Sequence, residues 1–332
     1  MSNIRIPKSW ELPERLATPE DVYLDRRRVV KAMGLATVGA LLAPQVGCAE
    51  RLVLGDQSGM TTPAVGDRFS DLFPAKRNEK YQLGQGRPLT PEKTAAAYNN
   101  FYEFTTAKGK VWQLAQGYPV DPWTVEVTGL VEKPRTFDLD SLFRLAPLEE
   151  RTYRFRCVER WAMQVPWTGY PLHKLLKAVR PLSKARYVRF VTKLDPKGMP
   201  GQKAAYYPWP YYEGLRMDEA MNELTFVTLG IYGHGLPMQH GAPWRIVAPW
   251  KYGYKSPKSL VRIELVEEQP GTFWNDLQPR EYGFFSNVNP SQPHPRWSQA
   301  VEEDIGSLEK RPTLLYNGYQ DEVSKLYDGK EI

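Results

Sequence analysis

The sequence predicts a mixed α+β domain, and three observations carry that reading. Strand-like and helix-like stretches alternate irregularly, without a steady βαβ rhythm. No G-x-G-x-x-G or P-loop pattern occurs in the 332 residues, which removes support for a nucleotide-binding doubly wound sheet. Ten Trp, 19 Tyr and 29 Pro make the chain rich in rings and turns, which favours long ordered loops over a helical bundle.

Residues 50–95 are polar, contain Gly and Pro, and read as an arm or linker. Residues 96–332 read as the main domain. Within it, 123–128 alternates apolar and polar residues and predicts a strand. A short amphipathic helix follows over 137–145, then a strand over 152–158. Residues 171–179 predict a helix with a proline near its start. Residues 187–191 predict a strand and 217–221 a short helix. Further strands are expected at 225–231, 244–249 and 259–266.

The first 49 residues read as a removable leader. Arg26-Arg27-Arg28-Val29-Val30-Lys31 precedes an apolar run over 32–44, which is shorter than the about 20 residues a membrane-spanning helix needs. A basic stretch, a short apolar stretch and the small-residue end Gly47-Cys48-Ala49 make a signal peptide. The paired arginines followed by apolar residues and a lysine fit the twin-arginine type, with cleavage after Ala49. An ordinary secretory signal or an N-terminal anchor is the alternative. This predicts a periplasmic protein delivered by the twin-arginine export machinery.

The net charge of +6 and the 42% hydrophobic content describe a globular protein without the clustered charge of a nucleic-acid binder. The two cysteines are Cys48 and Cys157. Once the leader is removed a single thiol remains, which excludes a disulfide framework and zinc-ribbon spacings. Arg154 and Arg156 precede that thiol and are expected to favour its thiolate, the form that binds metals. A buried structural cysteine is the other reading.

Three further segments stand out. Tyr98-Asn99-Asn100-Phe101-Tyr102-Glu103-Phe104 is aromatic and rich in amides. His240-Gly241-Ala242-Pro243-Trp244-Arg245 joins an expected loop to a strand. Residues 250–259 interleave lysines with aromatic and small residues, a composition that suits either a phosphate-holding loop or a solvated basic turn.

Taken together, and with Arg156-Cys157-Val158-Glu159, Val165-Pro166-Trp167, Met199-Pro200-Gly201-Gln202, Glu213-Gly214-Leu215-Arg216, Trp250-Lys251-Tyr252-Gly253, Asn287-Val288-Asn289-Pro290 and His294-Pro295-Arg296-Trp297-Ser298-Gln299, these segments resemble the sulfite-oxidase family of molybdenum enzymes. Within that family they resemble the branch that reduces methionine sulfoxide in periplasmic proteins. The resemblance runs from about residue 98 to 297, in order and at compatible spacings.

It implies a sulfite-oxidase-type molybdopterin-binding domain, without a haem domain or a C-terminal dimerisation domain. The implied cofactor is Mo-molybdopterin, one pyranopterin per chain with no appended nucleotide. Cys157 would be the protein ligand to the metal, a soft thiolate suited to an oxo-dithiolene centre. Asn99, Tyr102, Glu103 and Thr192 fall where the family contacts the pterin. His240 and Arg245 match positions for the pterin and its phosphate arm; Ser256, Pro257 and Lys258 match the phosphate loop. His240 stands where some relatives carry Asn. Glu159, two residues past Cys157, is expected to place a carboxylate near the metal and to act in catalysis, repelling sulfite while tolerating a neutral sulfoxide.

The expected activity is therefore reduction of methionine sulfoxide in oxidised envelope proteins, with electrons from a membrane haem-binding subunit. A periplasmic sulfite dehydrogenase or small S-/N-oxide oxidoreductase is the alternative. A catalytically inert pterin-binding carrier is a third class.

Overall fold

The computed structural model describes residues 59–82 and 87–328. The expected leader, its arginine pair and Cys48 lie outside them. In chain order the strands are β1 (Lys76–Arg77), β2 (Thr124–Gly129), β3 (Arg135–Asp138), β4 (Glu149–Arg156), β5 (Trp161–Pro171), β6 (Tyr187–Thr192), β7 (Tyr212–Arg216), β8 (Phe226–Ile231), β9 (His234–Gly235), β10 (Arg245–Val247), β11 (Leu260–Val266), β12 (Val301–Asp304) and β13 (Lys310–Pro312). Short helices lie between them: α1 (Glu92–Ala97), α2 (Val111–Ala115), α3 (Leu139–Phe143), α4 (Leu172–Val179), α5 (Met217–Met221) and α6 (Phe273–Leu277).

Two sheets organise the domain. In the first, β4 and β5 form a long antiparallel pair, and the far edge of β5 receives β8 along its end and β12 at its start. β8 in turn pairs with β10. In the second sheet the order is β3-β2-β11-β6-β7. β5 is buried along all of its length because neighbours line both edges and packed layers cover both faces. It has no polar face, so its residues show no alternation, and the sequence gives no strand signal there. The helix expected over 137–145 is confined to Leu139–Phe143: β3 occupies 135–138, and Asp138 caps α3 by accepting the Ser141 N–H at 2.8 Å.

α4 is amphipathic as expected. Leu172, Leu175, Leu176 and Val179 are buried, Pro171 precedes the first turn, and Arg180 ends the helix in the left-handed region at φ 54. The described part of the arm packs on the domain. Phe69 stacks on Phe143 of α3 at 4.0 Å, and β1 adds a parallel edge to β4.

The elements that matter for function converge at the end of β4. β10 starts beside it with Arg245, and two backbone bridges, Arg156 to Tyr252 and Arg245 to Lys258, lay the 250–259 loop across the gap. That loop is anchored from beneath by two buried ion pairs, Lys251 to Glu219 of α5 and Lys255 to Glu213 of β7, each at 2.5 Å. Two of the loop's three lysines are therefore structural, and only Lys258 turns inward to the cleft.

Candidate active site

Cys157 opens the tight turn between β4 and β5. Its N–H donates to the Trp161 carbonyl at 2.9 Å, and its carbonyl accepts the Arg160 N–H at 3.0 Å. Arg160 takes φ 75 to close the turn. From the far side, the indole of Trp297 and the amide of Gln299 both donate to the Val158 carbonyl at 2.8 Å, so the 294–299 motif braces the turn that carries the cysteine.

The cysteine is buried and lines a cleft. The arginines do not act on it as the sequence suggested. Arg156 points its guanidinium at Glu302, Gln299 and the Cys157 carbonyl. Arg154 lies against the Tyr319 ring. Burial and the neighbouring Glu159 push the thiol up to about 12, and Arg156 and Lys108 offset this only in part. The strand expected to run to residue 158 ends at Arg156, leaving Cys157 in a turn.

The groups aimed at the sulfur are different ones. The Asn100 amide donates to Sγ at 3.2 Å and to Glu159 Oε2 at 3.2 Å, and the Glu159 N–H donates to Sγ at 3.4 Å. Two N–H donors thus favour a thiolate once a cation takes the proton's place. The sequence reading missed Asn100, although it sits beside the chosen Asn99.

Glu159 lies in the cleft as expected, but not as an uncompensated charge. Lys108 Nζ is 3.1 Å from Oε2, and the Trp161 indole donates to the same oxygen at 3.3 Å. Burial raises the carboxyl, but Lys108 together with the hydrogen bonds from Asn100 and Trp161 holds it below its ordinary range, so it is ionised and paired. The expected repulsion of sulfite is correspondingly weakened. Nothing in the sequence signalled Lys108, which arrives from the short 3-10 turn Lys108–Lys110, far earlier in the chain.

The inner end of the cleft is cationic. Arg245 is 2% exposed and its guanidinium meets only backbone carbonyls, of His240 at 3.1 Å, Ser256 at 3.0 Å and Ile246 at 3.4 Å, and the faces of Phe155 and Trp167. Burial pushes it down to about 9. Lys258 Nζ donates to the Asn100 carbonyl at 2.8 Å, and burial beside Arg245 lowers its pKa. Glu103 is the one acidic group the cleft sets against these two cations; burial raises it and Lys258 opposes that rise. The Oδ1 atoms of Asn99 and Asn100 are buried with no partner among the described residues. Two dry cations over one carboxyl, with orphaned acceptors nearby, is an arrangement that an anionic, hydrogen-bonding ligand completes.

His240 lines the cleft and stays neutral, since burial and the two cations push it down to about 3. It can serve only as a neutral hydrogen-bonding group, as Asn would. Ser256 Oγ accepts the Ala248 N–H and the Pro257 carbonyl accepts the Ile246 N–H, so both are tied to β10. Tyr102 also lines the cleft; burial and the charges of Glu159 and Cys157 raise its pKa, so its hydroxyl stays protonated. Thr192 is the exception among the chosen residues. It is buried on β6 beside Glu103, outside the cleft lining. Two glycines permit these approaches. A Cβ on Gly241, which has φ +97, would meet the Lys258 side chain at 2.7 Å, and one on Gly201 would strike the Tyr102 carbonyl at 2.0 Å.

Residues 113–274 match the family described as oxidoreductase molybdopterin binding domain. The chain is 47% identical over 326 residues to the "Protein-methionine-sulfoxide reductase catalytic subunit MsrP" of Burkholderia mallei, covering 97% of this chain and 95% of that one. It is 45% identical to the protein of the same name from Ralstonia nicotianae, with the same coverage. The chain belongs to this family of reductase catalytic subunits. Its molybdopterin-binding domain is a mixed α+β fold, as expected. The sulfane dehydrogenase SoxCD of Paracoccus pantotrophus is a distant likeness, with TM-score 0.46, 15% identity, and coverage of 78% of this chain and 64% of that one.

Proposed function

We propose that this protein is a molybdopterin-dependent oxidoreductase that reduces methionine sulfoxide in proteins to methionine. The observation that carries the reading is the cleft itself: a single buried thiol at one end, a buried Arg245–Lys258 pair at the other, in a chain 45–47% identical to two catalytic subunits named for this activity. Arg245 and Lys258 would neutralise the phosphate of the pterin's side arm, with Ser256 and Pro257 shaping the loop beneath it. Asn99 and His240 offer neutral hydrogen bonds, and Glu103 a carboxyl, to the ring system. Thr192 would act through Glu103. We read the cofactor as the form without an appended nucleotide.

When bound, the cofactor supplies a two-electron couple able to take up an oxygen atom from a sulfoxide. The chain's own groups do the rest. Cys157 gives the thiolate, held by the N–H groups of Asn100 and Glu159. The sulfoxide's conversion to thioether and water consumes two electrons and two protons. Tyr102 and Glu159 line the cleft, with Lys108 paired to Glu159, and these groups would handle the protons that the reduction consumes. Glu159 with Lys108 leaves that wall nearly neutral, which suits an uncharged sulfoxide.

The arginine pair of the leader, Arg26-Arg27, supports export by the twin-arginine pathway to the periplasm. There the name "catalytic subunit" borne by the relatives supports an electron-donating partner, which we take to be a membrane haem-binding subunit. Oxidised envelope proteins would be the substrates. Molybdenum and pterin analysis of the purified protein tests the cofactor assignment. Cys157→Ser should retain most of the pterin and lose turnover, since a hydroxyl is a harder and less acidic donor. Turnover at the wild-type rate by a molybdenum-loaded Cys157→Ser enzyme would remove the thiolate from the account.

A further inference from the structure

Beyond Tyr102 the cleft meets a run of rings that the cofactor reading leaves unused. Tyr102 and Trp274 line the cleft and meet edge to face at 5.6 Å. Trp274 is 6.0 Å from Tyr207, and Tyr207 lies 4.2 Å from Tyr206 and 5.3 Å from Trp209. The rings lead outward from the catalytic cleft to Tyr206, which is 69% exposed, the most exposed of the large apolar side chains among the described residues. Pro208 and Pro210 flank Trp209 and fix the backbone of the segment that carries them.

The charged residues of the cleft are all placed elsewhere. Arg245, Lys258 and Glu103 are buried at the inner end, and Glu159 is occupied by Lys108. A free amino-acid sulfoxide carries an ammonium and a carboxylate, and the four charged residues that line the cleft, Glu103, Glu159, Arg245 and Lys258, are already engaged in those other roles. Rings do suit a thioether or sulfoxide side chain, and the apolar residues on either side of it.

We propose that Tyr206, Tyr207 and Trp209 form a docking platform for the polypeptide that flanks the sulfoxide, with a preference for apolar neighbours; this rests on the reductase reading above. The platform holds the chain of the substrate while the sulfoxide side chain passes Trp274 and Tyr102 into the cleft. Substrate peptides with acidic neighbours gain nothing from it. Dimethyl sulfoxide, which has no flanking chain, does not use it.

The test compares wild-type holoenzyme with Tyr206→Ala and Tyr206→Phe. The substrates are dimethyl sulfoxide and two heptapeptides with a central methionine sulfoxide, one with apolar and one with acidic neighbours. Stacking contacts of this kind are worth about a three- to tenfold change in affinity. Tyr206→Ala should therefore raise KM for the apolar peptide by about that factor at unchanged kcat, with Tyr206→Phe close to wild type. Kinetics on dimethyl sulfoxide and on the acidic peptide should not move, nor should molybdenum content. Binding of the non-reducible methionine-sulfone version of the apolar peptide, followed by tryptophan fluorescence, should weaken by the same factor. Equal KM and equal sulfone-peptide affinity in Tyr206→Ala would overturn the platform, as would a parallel loss on dimethyl sulfoxide. Wild-type enzyme loaded with molybdenum that reduces no sulfoxide at all would overturn the functional reading and the platform with it.

Discussion

Replacing Arg245 with methionine should move stability and cofactor retention in opposite directions. In the cofactor-free protein the guanidinium is held charged in a dry site. With its pKa lowered from 12.5 to about 9, that costs about 5 kcal/mol, at roughly 1.4 kcal/mol per pH unit. Methionine removes the penalty. It also strips a donor from the carbonyls of His240 and Ser256, which returns about 2 to 3 kcal/mol. A net gain of about 2 kcal/mol should raise the melting temperature of cofactor-free protein by about 4 °C. Arginine is charged in folded and unfolded chains alike below pH 9, so the gain is constant around neutrality. It fades as pH climbs from 9 towards 12.5, where the unfolded chain also loses its proton. With cofactor the sign reverses, because one partner of a buried ion pair is gone, typically about 3 to 5 kcal/mol. Affinity should fall by about 10²- to 10³-fold. Thermal scans of protein made in cells unable to synthesise pterin give the first number; molybdenum and pterin content from competent cells gives the second. A variant that melts lower without cofactor, yet retains stoichiometric molybdenum, would make Arg245 a structural strut and refute the reasoning.

Three other outcomes follow from the same geometry. His240 stays neutral in the folded protein down to about pH 3, whereas the unfolded chain takes a proton near 6.5, so cofactor-free protein should lose stability as pH falls from 6.5 towards 3. His240→Asn should remove that component, about 1.4 kcal/mol per pH unit, in urea unfolding at pH 6.5 and pH 5; identical pH slopes in the two proteins would show His240 to be accessible to protons. Lys108→Met leaves Glu159 without its cation, so inhibition of sulfoxide reduction by sulfite should weaken about tenfold while kcat on the neutral substrate changes little; an unchanged inhibition constant would remove Lys108 from the site's charge balance. Changing Arg26-Arg27 to Lys-Lys should hold the precursor in the cytoplasm, read by fractionation, since lysine cannot replace the guanidinium pair; normal export would indicate an ordinary secretory signal.

Local pattern told much of the fold. Residues 217–221, 187–191 and 225–231 were legible because each shows one buried face or a short apolar run bounded by turns. β5 was not, since burial on both faces erases alternation, and β12 and β13 were not, since Val301–Asp304 and Lys310–Pro312 read as surface chain until they pair. In the site, the residues chosen by resemblance gather in one cleft, Thr192 excepted. What the sequence could not carry were contacts made across the fold: Lys108 meeting Glu159, Asn100 meeting the sulfur, and Arg156 turning to Glu302 instead of the thiol. The lysines at 251, 255 and 258 look alike in sequence, and only the positions of Glu219 and Glu213 separate two structural cations from the one that faces the cleft.

The central claim is that this cleft reduces sulfoxides. The direct measurement is kcat/KM of the purified, molybdenum-loaded enzyme for a methionine-sulfoxide protein with a reduced viologen dye, set against kcat/KM for sulfite with an artificial electron acceptor. The account predicts sulfoxide reduction that far exceeds sulfite oxidation. Sulfite oxidised more efficiently than any sulfoxide is reduced would contradict it, and would leave Arg245, Lys258 and Cys157 as the cofactor site of a sulfite dehydrogenase.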